Sequence, residues 1–345
     1  MSTPASFYPW QRETAQAWLS NRERFAHAWL VHGMPGIGKR TFALAAAASM
    51  LCQQPREGLA CQQCQSCQWV ASGNHPDFRR LRPDAVALEE GAPDSEAIGT
   101  ASTRKNPSRE IRIDQLRELE DWFGMAPHQG GWRVLVLYPA QALNVVSANA
   151  LLKTLEEPGP QTLFILVADA PDRLLPTIVS RCRRLPLPVP DIAQSLAWLR
   201  EQNVSQPQEW LAAASQAPVA AARLAQTEPQ PCPAWLTALL QCAQNATSEP
   251  DIGPIADELE KLPVSGWLTT LQRATLDMQL HQAGLEMRYY PGLEPALTLA
   301  TGAHAGRLSG LSRWLAEQQS LASHPLSERL FVHTILQQTV LAWRQ

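Results

Sequence analysis

Four residues near the N-terminus have the types and spacing of a phosphate-binding loop. Gly33, Gly36, Gly38 and Lys39 match the Walker A pattern. In that pattern the glycines let backbone N–H groups surround phosphates, and the lysine reaches the terminal phosphates. The loop follows an apolar run and precedes an alanine-rich run, so it is expected at the N-terminus of a helix, where anions are favoured. The sequence therefore predicts a nucleotide-type loop rather than a simple turn before a helix.

The residues that would hold magnesium and activate water are missing. Walker A places Ser or Thr directly after the lysine, but this chain has Arg40, and Thr41 points about 100° away on a helix. An active enzyme of this type also ends its next sheet strand with acids, whereas here Tyr138 and Pro139 follow the strand. Because the changes affect one mechanism, we expect no ATPase activity. Any nucleotide binding should be weak and independent of magnesium.

A group of cysteines follows the loop and its helix. Cys52, Cys61, Cys64 and Cys67 supply four thiolates within a short stretch. A closed tetrahedral zinc site takes four such ligands and is structural. Iron–sulfur clusters also use Cys-x2-Cys-x2-Cys spacing and stay an alternative, while disulfides fit a reducing compartment poorly. We predict structural zinc, with nearby His75 as a loop or capping residue.

Alternating strands and helices are predicted to position these residues. Continuous apolar runs are typical of strands buried on both faces of a parallel sheet, and they occur at 28–32, 133–137 and 162–167. Helical preference or spacing occurs at 41–51, 114–123, 145–156 and 172–180. The alternation predicts an α/β domain with a doubly wound parallel sheet.

Beyond residue 188 the pattern becomes entirely helical, without a convincing strand. The predicted fold is therefore α/β followed by all-α. We expect three parts: an α/β domain over 1–188, a small helical domain over 189–229 and a further helical domain over 230–345. Residues 83–110 lack periodicity and are predicted to form a flexible surface insertion.

Composition excludes several classes of protein. The 345 residues carry 29 Lys and Arg against 32 Asp and Glu, a net charge of −3, which argues against coating nucleic acid by bulk charge. No apolar run approaches the ~20 residues that span a bilayer, and the first ten residues lack a secretion signal. We therefore expect a cytoplasmic protein without membrane contact. The 12 tryptophans recur among Leu and Ala, which predicts packing rather than base stacking.

Two motifs carry a resemblance to a known family. Ala-Leu-Leu-Lys-Thr-Leu-Glu-Glu-Pro at 150–158, followed by Ser180-Arg181-Cys182, resembles the AAA+ subunits of the DNA polymerase III clamp loader. The resemblance covers about residues 10–226. It implies an AAA+ P-loop domain, a helical lid and a C-terminal oligomerisation collar. The cysteine group similarly resembles the zinc module of clamp-loader ATPase subunits.

Within that family the chain resembles a non-catalytic member and not the ATP-hydrolysing gamma or tau subunit. Besides the altered loop, Ala168 stands at the strand end where an active paralogue carries a polar sensor. The lid segment 217–220, Ala-Pro-Val-Ala, offers no arginine to the subunit's own nucleotide. The resemblance implies partnership with the gamma or tau ATPase subunits and the delta subunit, and with the sliding clamp and primed DNA through the complex.

The same resemblance implies that Arg181 acts in trans, as an arginine finger on ATP bound by a neighbouring subunit. A guanidinium is permanently charged and can bind two phosphate oxygens. A plain arginine at a helix C-terminus is the simpler alternative. Glu156 and Glu157 are adjacent, so they diverge by about 100° on a helix and are not expected to form a catalytic pair. Glu157 is instead expected to pair with Lys153.

Two other functions compete with this interpretation. One is an active ATPase of the same fold that tolerates Arg40 and the lost acids. The other is a zinc-containing module that binds DNA directly. Magnesium-dependent hydrolysis by the purified chain favours the first, and tight, salt-sensitive DNA binding favours the second.

Overall fold

The structure is a computed structural model that describes residues 5–20, 25–91, 107–128, 131–244, 251–293, 305–321 and 327–344. The chain forms two compact units, Met1–Gln194 and Ser195–Gln345. The first contains the sheet and the predicted sites, and the second is helical. Among the described residues, none of the helices has the length and apolar character to cross a membrane.

The first unit is built around a five-stranded sheet in which every pairing is parallel. The strand order is β2-β3-β4-β1-β5. The strands are β1 (Ala28–His32), β2 (Phe78–Leu81), β3 (Arg133–Leu137), β4 (Thr162–Ala168) and β5 (Arg183–Pro186). Every residue of β3 and β4 is buried, as continuous apolar runs predict. The predicted parallel sheet is confirmed.

The strands of the first unit alternate with helices. These helices are α1 (Arg12–Leu19), α2 (Lys39–Leu51), α3 (Gln65–Ser72), α4 (Asp84–Glu89), α5 (Ile113–Gly124), α6 (Val145–Glu156) and α7 (Pro176–Arg181). Leu151 of α6, Ile178 of α7 and Phe164 of β4 are fully buried in one core cluster. Burying a side chain of this size contributes about 1.5–3 kcal/mol to the free energy of folding. This shared core therefore holds α6 and α7 in place on the sheet.

Two predicted segments differ from the structure. The single helix expected over 172–180 is a 3-10 turn, Pro171–Arg173, followed by α7. Pro176 lacks an N–H and suits the first helical position, so a new helix begins there. The segment 83–110 was expected to be irregular, but its start is α4. Residues 92–106 of that segment lie outside the described residues.

The parallel sheet brings three chain segments to one edge. Because β3, β4 and β1 are neighbours and run in the same direction, their carboxyl ends lie side by side. Ligands of open α/β sheets bind at this edge. The phosphate-type loop 33–38 follows β1, Tyr138 follows β3 and Asp169 follows β4.

The second unit begins at Ser195, within α8 (Ile192–Glu201). Its described residues contain no strand. Its helices are α9 (Pro207–Ala213), α10 (Pro218–Thr227), α11 (Ala234–Gln244), α12 (Gly253–Leu259), α13 (Val264–Gln282), α14 (Ala305–Leu321) and α15 (Glu328–Trp343). Trp210 lies in a small core of α8 to α10, while Trp235, Trp267 and Trp343 lie in a larger core of the later helices. These tryptophans pack inside the unit, as their spacing predicts. The α/β-then-all-α organisation is confirmed.

Candidate functional site

The phosphate-type loop has the backbone shape that its glycines allow. Gly38 has φ 89° and Gly33 has φ 148°, which are backbone conformations that residues with a side chain rarely adopt. A Cβ on Gly38 would lie 2.5 Å from the Tyr8 ring, and one on Gly33 would lie 2.6 Å from the Leu187 carbonyl oxygen. Gly36 also has a positive φ. The loop between β1 and α2 is therefore formed as predicted, and the N-terminal segment packs closely on it.

Lys39 is turned inward. Its side chain is 3% exposed, and its Nζ lies 2.7 Å from the Gly33 carbonyl oxygen and 2.6 Å from that of Met34. The same Nζ lies 2.5 Å from Oδ1 of Asp169. An ammonium has three N–H donors, and these three acceptors match that number. Burial lowers the pKa of Lys39, and the bond to Asp169 opposes that shift.

Arg40, at the position where Walker A holds magnesium, is paired with a glutamate. Its Nη1 lies 2.9 Å from Oε1 of Glu90. The Arg40 side chain is 53% exposed and that of Glu90 is 14% exposed. A cation therefore stands where the motif would place a metal ligand.

Tyr138, at the position of the missing acids, binds the same glutamate. Its hydroxyl donates a 2.9 Å hydrogen bond to Oε2 of Glu90. Nε of Arg82, a side chain only 4% exposed, lies 3.0 Å from the same oxygen. Burial raises the pKa of Tyr138, so its phenol stays protonated near neutral pH and donates this bond. One carboxylate thus joins two of the altered positions of the nucleotide pattern, Arg40 and Tyr138.

Sequence reasoning missed two residues of this arrangement. Glu90 directly follows α4, in the segment expected to be irregular. Asp169 directly follows Ala168, where the absence of a polar sensor was noted, and its carboxylate reaches Lys39. The parallel order of β1, β3 and β4 was the available signal for Asp169. The sequence holds no comparable signal for Glu90.

Arg181 lies at the last residue of α7, away from the loop. Its Nη1 donates a 3.0 Å hydrogen bond to the Thr177 carbonyl oxygen, and its Nη2 forms an ion pair with Oε1 of Glu156. The Arg181 side chain is 35% exposed. The neighbouring Cys182 is buried, which raises the pKa of its thiol to about 11. Both charged members of the pair are accessible, because the Glu156 side chain is 51% exposed.

The side chains of the four predicted cysteine ligands lie close together. The Sγ atoms of Cys52, Cys61, Cys64 and Cys67 all lie within 4.8 Å of one another. Those of Cys52 and Cys64 are 3.9 Å apart, close to the about 3.8 Å expected for two thiolates on one tetrahedral zinc. The four cysteines could therefore hold a metal ion. Hydrogen bonds from the backbone N–H groups of Gln63 and Cys64 lower the pKa of Cys61 to about 6, which favours its thiolate form, whereas burial raises the pKa of Cys52 and of Cys67.

A buried hydrogen-bond relay supports the cysteine site. His75, 1% exposed, accepts a 3.0 Å bond at Nδ1 from the Asp77 N–H. A neutral histidine that accepts at Nδ1 carries its proton on Nε2, which lies 2.9 Å from Oγ of Ser66. Ser66 in turn donates to the Leu51 carbonyl oxygen. The relay ties the helix carrying Cys67 to the end of α2, and His75 is a buried residue outside the helices and strands whose ring accepts a backbone N–H.

Comparisons with known proteins agree on one family. The family model described as "DNA polymerase III, delta subunit" matches residues 11–191. "DNA polymerase III subunit delta'" of Pseudomonas aeruginosa is 39% identical over 224 residues, which are 64% of this chain and 62% of that protein. The Escherichia coli protein of the same name is 34% identical over 203 residues, 58% of this chain and 54% of that protein. The matches thus span less than two thirds of either relative.

Among solved structures, a DNA polymerase III gamma subunit-related protein from Thermotoga maritima is 16% identical. It covers 97% of this chain and 100% of its own length, with a TM-score of 0.47.

Proposed function

This chain belongs to the DNA polymerase III, delta subunit family, and from that premise we propose that it is the delta-prime subunit of a bacterial clamp loader. In this function it helps to load the sliding clamp onto primed DNA during chromosomal replication. The observation that carries the proposal is the 39% identity over 224 residues to a relative named subunit delta'. Its partners in this proposal are the gamma or tau ATPase subunits and the delta subunit.

The subunit has no ATPase activity of its own in this proposal. Three acceptors inside the protein match the three donors of Lys39, so a phosphate must displace one of them. The guanidinium of Arg40 repels magnesium at the position of the usual ligand. The hydroxyl of Tyr138, which burial keeps protonated, is neither a magnesium ligand nor a base for water. These contacts support a P-loop domain that serves as a rigid part of the assembly.

The catalytic contribution of the subunit is made through Arg181, on ATP held by a neighbouring subunit. The guanidinium is accessible and lies at a helix end. An arginine supplied in trans stabilises the charge that develops in phosphoryl transfer. Its setting in the Ser180-Arg181-Cys182 motif favours this function over that of a helix-capping charge.

The cysteine group holds zinc with a structural function. Four ligands leave no coordination position for water, so the site performs no chemistry. An iron–sulfur cluster binds its cysteines to different irons and must hold them farther apart than one ion does. The 4.8 Å limit on the sulfur separations therefore favours a single ion. The domain division also belongs to this proposal, with a lid over 189–229, an oligomerisation collar over 230–345 and action in the cytoplasm.

The decisive experiment is Arg181→Ala in a clamp loader reconstituted from this chain and the gamma and delta subunits. We expect assembly to survive, while DNA-stimulated ATP hydrolysis falls by on the order of a thousandfold at the site that the finger serves. Gel filtration measures assembly, and phosphate release measures turnover. Lys153→Ala, a change at an exposed position of α6, is the control. Unchanged turnover in the Arg181 variant refutes the finger, and failure to assemble with gamma and delta refutes membership of the complex.

A further inference from the structure

Arg181 is held at two points by its own subunit. Nη1 donates to the Thr177 carbonyl oxygen at 3.0 Å, and Nη2 pairs with the Glu156 carboxylate. We propose that Glu156 is a positioning residue for Arg181, holding the guanidinium ready for the neighbour's ATP. This inference rests on the proposed trans-acting function of Arg181. It assigns a function to a carboxylate that the sequence analysis only excluded from a catalytic pair with Glu157.

The two side chains start from fixed points. Glu156 is the last residue of α6, and Arg181 is the last residue of α7. Directly before Glu156, Leu155 is 1% exposed, and Ile178 in the middle of α7 is fully buried. Both belong to the same core cluster. Since packed cores deform little, the two helix ends keep their separation, and the carboxylate stays within reach of the guanidinium.

The pairing leaves the guanidinium able to bind phosphate. An arginine side chain has five N–H donors, and the contacts to Thr177 and Glu156 need only two of them. A long free side chain loses rotamer freedom when it binds a ligand, whereas one already held loses less. Glu156 therefore lowers the entropy cost of ordering the Arg181 side chain on phosphate and leaves other N–H donors of the guanidinium available.

The pair is also weak enough to admit a stronger anion. The side chains of Arg181 and Glu156 are 35% and 51% exposed, and solvent screens an ion pair of that kind. A phosphate carries more charge and takes guanidinium bonds in pairs. The carboxylate therefore orients the arginine without neutralising it permanently.

Glu157 provides a matched control. It follows Glu156 directly, is exposed, and has left the helical conformation, with φ −122° and ψ 68°. No ion pair involves its carboxylate in the part of the chain that the structure describes. The expected Glu157–Lys153 pair is not formed there, and the ion pair at this helix end belongs to Glu156.

The test compares four variants in the reconstituted clamp loader. For Glu156→Ala we expect kcat of DNA-stimulated ATP hydrolysis to fall on the order of tenfold, through misplacement of a reacting group, with little change in KM for ATP. Glu156→Gln should keep most of the activity, because its amide oxygen still accepts from Nη2. Glu157→Ala should match the wild type. Adding Glu156→Ala to Arg181→Ala should cause no further loss, since the glutamate acts only through the arginine.

A second measurement needs no partner subunit. Nitrogen-15 NMR of the isolated chain measures how freely the Arg181 guanidinium rotates. This rotation should become freer in Glu156→Ala and not in Glu157→Ala. If kcat of Glu156→Ala equals or exceeds that of the wild type, or if Glu156→Gln loses as much as Glu156→Ala, positioning through this hydrogen bond is wrong. If Arg181→Ala retains full turnover while the NMR change is present, the finger itself is wrong and Glu156 is only a structural partner.

Discussion

Nζ of Lys39 and Oδ1 of Asp169 lie 2.5 Å apart, joining the loop after β1 to the residue after β4. Two loop carbonyl oxygens accept from the same ammonium. Lys39, which would contact phosphate in an intact Walker A loop, is thereby bonded to acceptors of its own chain. Because this pairing acts together with Arg40 and Tyr138, restoring a single residue of the motif should not restore chemistry.

Arg40→Ser should therefore remain inactive. It places a hydroxyl where Walker A has one, but Tyr138 and Pro139 still stand where acids are needed. We expect no magnesium-dependent phosphate release from the purified variant. An identical assay with EDTA is the control. Turnover that appears only with magnesium would contradict the proposed loss of ATPase activity and support the competing active enzyme.

Glu90→Ala should destabilise the first unit. The change leaves the nearly buried Arg82 without this carboxylate partner and removes the acceptor of the Tyr138 hydroxyl. We expect the free energy of unfolding to fall by about 1–3 kcal/mol, measured by urea denaturation. The control is Glu89→Ala, at the exposed neighbouring position in α4, which should change little. Equal effects of the two substitutions would show that the carboxylate contributes nothing.

Metal analysis of the purified chain should find about one zinc ion, the content of one four-thiolate site. Cys64→Ser or chelation should remove it and lower the stability of the first unit, because metal binding adds to folding free energy. Cys232→Ser, in the helical unit, should keep the full zinc content. Iron in place of zinc, or no metal at all, overturns the assignment.

His75 should make the stability depend on pH. Burial lowers its pKa from the ordinary value of about 6.5, with Asp77 opposing the shift and Arg79 adding to it. Below pH 6.5 the unfolded chain therefore binds more protons than the native chain, so stability falls as pH falls. We expect the stability advantage of the wild type over His75→Gln to shrink between pH 7.5 and 5. Both proteins are measured with the metal removed by a chelator, so that acid release of the metal does not enter the difference, and a constant difference would contradict the prediction.

The centre of the sheet could be predicted from the sequence, but its edges could not. The segments β1, β3 and β4 are apolar runs, and α6 has the predicted bounds because Ala148, Leu151 and Leu155 face the core. Strand β2 reads Phe-Arg-Arg-Leu and β5 reads Arg-Arg-Leu-Pro. Among the described strands these two lie at the ends of the sheet and pair with one neighbour each, so polar residues are tolerated and no apolar run marks them.

The candidate sites also differ in how much of each could be predicted from the sequence. The cysteine group was predictable because its ligands are close in sequence and their spacing limits their geometry. The partners of Arg40 and Arg181 were not, since Glu90 lies 50 positions from Arg40 and Glu156 lies on a different helix from Arg181. Such pairs depend on the packing of whole elements, which no local pattern reports.

The contacts of Glu90 also bear on how this domain can change over evolutionary time. Positions 40 and 138 must both change to rebuild a nucleotide-hydrolysing site, and each is now bonded to the same carboxylate. Replacing either one alone removes a partner of Glu90 and adds no catalytic residue that works without the other. A first change at position 138 therefore removes the hydrogen bond to Glu90 without adding activity. The shared carboxylate thus opposes the rebuilding of a nucleotide-hydrolysing site by single substitutions.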